Sequence, residues 1–416
     1  VVLGEEAQNS TAILIKGSDN PAENSADPNN NTTITGNITV KDSNKGGTKQ
    51  ETGNIGLEVQ NASASTDGKI TVGEGLNYEN RYPVGVYAIN NIKDKNGNYI
   101  EDKEYIYTGN GDLAVGNFAT GVAAKNFDIL YNGNITAGVG AVGILAENEK
   151  YAENKNYTTV LGNITVGDEK ISDRVKGLGV YGKNSDIIIG TKTDLIEMNI
   201  KNNKENIGIL SAEKGDIEFN GNVNIAGNEN IERGKDSAVG IYKNGSGTVE
   251  IGKGNWTVGE NSFGVIVNSK AEKKEEISLT NESSMTIKKG AIGIYSSGNN
   301  TVTNKGNLTV NGIGENISGK SSVGIYMQNE GDKTSVGTNS GVIIADGKNS
   351  VGVQVVGNVQ FTNEKDGVIN VFNGGIGMYA ANGAEIRNDG TINLGDENGK
   401  NSTSSIGMYG QGKGTK

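Results

Sequence analysis

The sequence predicts an all-β chain wound as a right-handed parallel β-helix of about 13–14 rungs with protruding loops. Three observations carry this expectation. A glycine-centred phrase recurs along the whole chain, a second phrase of alternating apolar residues stands between its copies, and no stretch keeps a helical period.

The first phrase is an apolar residue, glycine, an apolar residue and often tyrosine. It reads NIGLEV, PVGVYA, ATGVAA, AVGILA, GLGVYG, NIGILS, AVGIYK, SFGVIV, AIGIYS, SVGIYM, SVGVQV, GIGMYA and SIGMYG. Its glycines are Gly56, Gly85, Gly121, Gly143, Gly179, Gly208, Gly240, Gly264, Gly293, Gly324, Gly352, Gly377 and Gly407. The intervals average about 29 residues and range from roughly 22 to 36. STAILIKG, around Ala12, reads as a looser further copy.

The second phrase appears as TITGNITV, ILYNGNITAG, TVLGNITVG, IEFNGNVNIAG, VEIGKGNWTVG, TNKGNLTVNG and IRNDGTINLG. Each copy is a short alternating run, a Gly/Asn turn and a second run, the pattern of half-buried strands. A unit therefore holds about three short strands, too few to bury an apolar face alone. Stacking successive units pairs their backbones and closes a continuous core. Propeller blades need about 40–45 residues and four antiparallel strands each, which these units lack. Residues 1–416 are thus expected to be one β-helical segment, with insertions 88–112 and 146–158 standing off it as loops.

Alternation through S-V-G-I-Y places the residues flanking glycine on the core face. Glycine and tyrosine are then expected to face outward, the ring lying over bare backbone of a neighbouring rung. Tyr87, Tyr181, Tyr242, Tyr295, Tyr326, Tyr379 and Tyr409 stand two residues after their glycines and should form a discontinuous ladder. Structural stacking is the favoured role of that ladder over a sugar platform.

The other eight tyrosines, Tyr78, Tyr82, Tyr99, Tyr105, Tyr107, Tyr131, Tyr151 and Tyr157, fall in one stretch that also holds the two longest intervals. Insertions in solenoids often form the binding face, and tyrosines on polar loops have the composition of a recognition surface. Tyr78, Tyr82, Tyr99, Tyr105, Tyr107, Tyr151 and Tyr157 are the candidate partner-binding residues. The competing reading is a longer rung with partly packed tyrosines.

Composition narrows the chemistry. With no Cys and no His, thiolate nucleophiles, disulfides, Cys/His metal sites and histidine acid–base catalysis are all excluded. The formal net charge of −11 argues against a nucleic-acid partner. Asp and Glu are read as turn and insertion residues with no column inside the strands, so no catalytic pair, metal or cofactor is assigned and no enzymatic activity is expected. Asp94, Asn96, Asp102 and Glu104 do not match the spacing of an EF-hand loop.

Three motifs invite stronger readings. GENISGKS, Gly314–Ser321, fits the phosphate-loop pattern by letter, but that loop must open a helix, and SVGIYMQ follows. The same Gly-Lys turn precedes AVGIY, SVGVQ and SIGMY, so no nucleotide is expected there. Gly138, Gly140 and Gly143 spell G-x-G-x-x-G, yet the last is a phrase glycine. Asn37, Asn134, Asn163, Asn255 and Asn307 head N-x-T phrases in register with the turn and are read as stacked turn asparagines.

The phrases SVGIYMQNEG, SGVIIADGKNSVGV, GGIGMYAANGAEIRNDGTINLGD and SSIGMYG resemble the passenger repeats of the giant fusobacterial autotransporter adhesins. That group includes the arginine-inhibitable coaggregation adhesin RadD and a galactose-sensitive adhesin. The resemblance runs from about Ala12 to Gly410, and a Lys/Asn/Ile-rich, Cys-free composition accompanies it. It implies an exported passenger segment on the bacterial cell surface, excised from a protein with a leader and an outer-membrane barrel. It further implies adhesion to host receptors, host glycans or partner bacteria. A passive spacer and a polysaccharide-active β-helix enzyme are the alternatives.

Overall fold

In this computed structural model the described residues are all but 5–6, 8–9, 18–30, 42–52, 76–82, 93–104, 150–154, 168–175, 202–204, 230–232, 235, 270–274, 313–320 and 396–402. Among them the chain is all-β and contains no helix. It is a right-handed parallel β-helix of three sheets with 14, 14 and 13 strands, and every third strand in sequence joins the same sheet. Three strands make one turn, and each glycine phrase is the second-sheet strand of its turn. Thr11–Lys16 pairs with Ile55–Gln60, so STAILIKG is the fourteenth copy, with Ala12 in the glycine's place.

Two compact units divide the chain. Unit one holds Val1–Gly190 and Asn206–Asp216. Its first-sheet strands, such as Ile38–Val40, Ile70–Val72 and Ile164–Val166, bury both outer residues and turn a threonine outward. That is the alternation the second phrase predicts. Second-sheet strands such as Ile55–Gln60 and Val84–Ile89 add Leu57, Val59, Val86 and Ala88 to the core. Where large third-sheet rings enter, small residues make room: a Cβ on Gly109 would lie 2.2 Å from the Tyr131 ring. Asn61, Asn126 and Asn184, with φ of 53°, 51° and 52°, end second-sheet strands in the left-handed turn conformation that asparagine tolerates.

Unit two holds Thr191–Glu205 and Ile217–Lys416. It repeats the same turn with longer strands, up to the eight residues of Ser322–Asn329. Trp256 packs edge-on against Phe219 at 5.2 Å, and Gly337 leaves space for the Phe361 ring as Gly109 does for Tyr131. The third-sheet corner is held by a buried asparagine ladder. Asn281, Asn304, Asn339 and Asn363 each donate through Nδ2 to Oδ1 of the next rung's asparagine, ending at Asn388, all at 2.8 Å. Lys243 is the exception in this core: it is fully buried at an inward position otherwise given to residues such as Val267, Met327 and Val355.

The phrase glycine faces inward, which corrects the outward placement that simple alternation implied. Glycine and the residue after it are both buried, as in Gly56 and Leu57, and register skips the glycine: Thr120 pairs with Val142 and Val122 with Ile144. The strand bends there. A Cβ on Gly85 would lie 2.7 Å from the Gly121 carbonyl oxygen and 2.8 Å from the inward Ile70 side chain. No L side chain fits that approach, so glycine is kept for space. The tyrosines consequently lie beside one another and not over glycine backbone. The residue before glycine is half-exposed at Ile55 and Val84 of unit one, buried at Val323 and Val351 of unit two, and exposed again at Ile406.

Candidate functional site: an uncharged tyrosine and amide face

Of the seven candidate tyrosines, Tyr78, Tyr82, Tyr99 and Tyr151 lie outside the described residues, as do Asp94, Asn96, Asp102 and Glu104. Tyr105 and Tyr107 are corrected: they are core residues, 6% and 0% exposed, and cannot form part of a loop surface. Tyr107 belongs to the third-sheet strand Ile106–Gly109, inside the stretch 88–112, and its hydroxyl pairs with Thr66 at 2.7 Å. Tyr105 stacks on Phe127 at 5.9 Å. Burial pushes both phenols above the ordinary tyrosine range, Tyr107 most. Tyr131 is likewise inward, donating to the Gly111 carbonyl at 2.9 Å. Aligning IYTG with DILY in register would have revealed this, because Tyr107 sits opposite Ile129. Among the described candidates Tyr157 alone is exposed, at 43%, on the strand Tyr157–Val160.

The structure assembles a different surface in unit two. Residues two and four after each phrase glycine lie on the outer side of the second sheet, and of these Ala381 alone is buried. Down the first column they are Tyr242, Ile266, Tyr295, Tyr326, Gln354, Tyr379 and Tyr409, in continuous register. The second column is Asn244, Asn268, Ser297, Gln328, Val356, Ala381 and Gln411. None of these fourteen is charged, although 21% of the chain is. The equivalent columns of unit one carry Glu58, Lys125, Glu147 and Lys183. Seven strands at about 4.8 Å give this face a length of about 29 Å.

Its side chains are tied together. Tyr295 and Tyr326 stack at 5.3 Å with 8° between planes, and Tyr379 and Tyr409 at 5.5 Å and 28°. Gln328 Nε2 donates to the Tyr295 hydroxyl at 2.8 Å, and the Tyr326 hydroxyl meets Gln328 Oε1 at 3.2 Å. The Tyr379 hydroxyl donates to Gln411 Oε1 at 2.9 Å. The sequence signal for this pairing is the Y-x-Q of IYMQ and MYGQ, which places both residues on one strand face. Burial raises the Tyr295 and Tyr326 phenols, and nearby Arg233 partly offsets this for Tyr326. Arg233 itself donates to the carbonyls of Gly290 (2.7 Å) and Ser321 (2.5 Å), fastening the connection before Val239 across two later corners.

Among the described residues carboxylates do meet inside the strands at one place, which corrects the expectation of none. Glu218 and Glu250 are register neighbours on the outward side of the third sheet, about 4.8 Å apart along the stack. Glu218 accepts from Asn220 Nδ2. Among the described residues no group of three or more His, Cys, Asp or Glu could hold a metal ion. Residues 314–320 of the phosphate-loop pattern lie outside the described residues, and Ser322–Asn329, which would have to be helix, is strand. The N-x-T asparagines Asn37 and Asn134 accept from the backbone N–H of Lys69 and Asn163 on the next rung, as stacked turn residues do. Among the described residues no helix is long and apolar enough to cross a membrane.

Comparison with protein families gives a match over the second part of the chain. The model of the BigA third pectate lyase-like domain matches residues 162–416, more than half of the chain. No curated protein and no solved structure matches.

Proposed function

Because the chain belongs to the family of the BigA third pectate lyase-like domain, we propose that it is a non-enzymatic β-helical segment displayed on a bacterial cell surface that adheres through the uncharged face of unit two. The partner is a host receptor, a host glycan or the surface of another bacterium. One observation carries the reading: fourteen outward positions of tyrosine, amide, hydroxyl and aliphatic side chains without a charge. Tyr, Ser and Asn supply large contact area and adaptable hydrogen bonding, the chemistry of recognition surfaces. The fusobacterial resemblance supports the same class of function.

The test is capture of host and bacterial surface molecules by the purified chain and by a Gln354→Lys/Gln411→Lys double variant. Both substitutions are outward, so far-UV circular dichroism should be unchanged while binding falls about tenfold or more. Full binding by the double variant removes the face from consideration. Should removal of 93–104 and 150–154 then abolish capture, the insertions carry it.

A passive spacer is the second reading, favoured by one observation. The ladder rings stack on each other, and the Tyr295, Tyr326 and Tyr379 hydroxyls already bond Gln328 and Gln411. A chain that captures nothing from any of these surfaces establishes this reading over adhesion.

A further inference from the structure

Four buried polar atoms without a hydrogen-bond partner belong to residues that flank one corner of unit two, where the second sheet gives way to the third. They are Ser269 Oγ, Glu275 Oε2, Asn299 Nδ2 and Asn300 Oδ1. Ser269, Asn299 and Asn300 are 4%, 7% and 1% exposed. The register brings them together on two successive rungs. Asn268 pairs with Ser297, which stacks Ser269 on Gly298, and Ile277 pairs with Asn300, which places Glu275 just before the same corner. A Cβ on Gly298 would lie 2.7 Å from Ser269 Oγ. Asn299 and Asn300 follow that glycine directly.

Ser269 Oγ can donate or accept, Asn299 Nδ2 donates as placed, and the other two atoms accept. Asn300 Nδ2 donates to the Ser297 carbonyl at 2.8 Å and to Ser296 Oγ at 3.0 Å, which fixes its Oδ1 as the free acceptor. Glu275 can only accept when ionised. The oxygen and nitrogen of the Asn299 amide are interchangeable in assignment, and exchanging them turns an oxygen inward. The corner then offers four oxygens, one of them a carboxylate. With the serine proton turned away, a hard cation meets all four oxygens at once. Lys243, buried on the preceding rung, bonds none of the four.

We propose that Ser269, Glu275, Asn299 and Asn300 form a binding site for a divalent cation of the calcium class. With one carboxylate and neutral oxygens, the site belongs with the weak sites of extracellular modules, with dissociation constants of about 0.1–1 mM.

The experiment titrates the full chain with CaCl2 to about 10 mM, following thermal unfolding, and measures bound Ca2+ by equilibrium dialysis. Expected are a saturating rise in the unfolding midpoint, one Ca2+ bound at this corner, and loss of both in Glu275→Gln. Since NaCl screens the net charge of −11 as well, a matched-ionic-strength series is the control. Glu275→Gln keeps the side chain's shape, and Asn300→Ala provides a second variant expected to weaken binding. An equal shift with NaCl, the absence of bound Ca2+, or Ca2+ binding retained by Glu275→Gln overturns the proposal.

Discussion

Replacing Gly324 by alanine tests the reading of the glycine file most directly. The added Cβ would sit 2.5 Å from the Gly352 carbonyl oxygen and 3.1 Å from Val310 Cγ2. Neither neighbour can withdraw cheaply. The oxygen belongs to the next rung's backbone, and Val310 is fully buried. Overpacking of this kind costs about 1–3 kcal/mol. The smaller unfolded-state entropy of alanine returns about 0.4–1 kcal/mol. The net expectation is a loss of about 1–2 kcal/mol. Gly407 is the internal control, because its Cβ would meet only Ile392 Cγ2 at 3.4 Å and Leu394 Cδ2 at 3.8 Å. Gly407→Ala should therefore be neutral or slightly stabilising. Ala12 already fills the glycine's place opposite the two-residue strand Val2–Leu3, where it is half-exposed. Urea unfolding of both variants, followed by tyrosine fluorescence and far-UV circular dichroism, measures the difference. Equal effects at the two positions would refute the claim that close approach, and not local flexibility, retains the glycine.

Asn339→Ala removes the middle of the buried ladder and strands an N–H of Asn304 and the Oδ1 of Asn363. It should cost about 2–5 kcal/mol in urea unfolding, more than the half-exposed end residue Asn388→Ala. The raised phenols of Tyr107 and Tyr131 make stability fall in alkali. Above about pH 10 the unfolded chain releases these protons while the folded chain retains them. Each tyrosine then removes about 1.4 kcal/mol per pH unit. Tyr107→Phe and Tyr131→Phe should flatten the alkaline limb of a stability-against-pH series, and an unchanged slope would contradict their burial.

The coil, its three strands per turn and its fourteen copies are legible in the sequence because glycine spacing and strand alternation report one repeated physical demand. Facing was harder to read. Alternation by twos fails at Gly56 and its equivalents, where the chain bends and two neighbours turn inward, so a strict period misplaces the glycine by one face. Tyr105 and Tyr107 were hidden by the polar residues before them, which suggest a loop until IYTG is set beside DILY. The buried ladder of Asn281 to Asn388 has a signal in the recurring Asn before a turn glycine, as in TNKG, TNSG and RNDG, but letters alone do not separate it from exposed turn asparagines. The face of unit two is spread over seven strands that are far apart in sequence. It becomes visible only when rungs are aligned.

The shared register has an evolutionary consequence. Since every turn presents nearly the same backbone to the turn on either side, gaining or losing one whole turn leaves both new neighbours compatible. A shift of a single residue would reverse the facing of a strand and expose what it buries. Copying and excision in whole periods is thus the tolerated way for such a chain to change its reach, with substitutions on outward columns free to diversify what it touches.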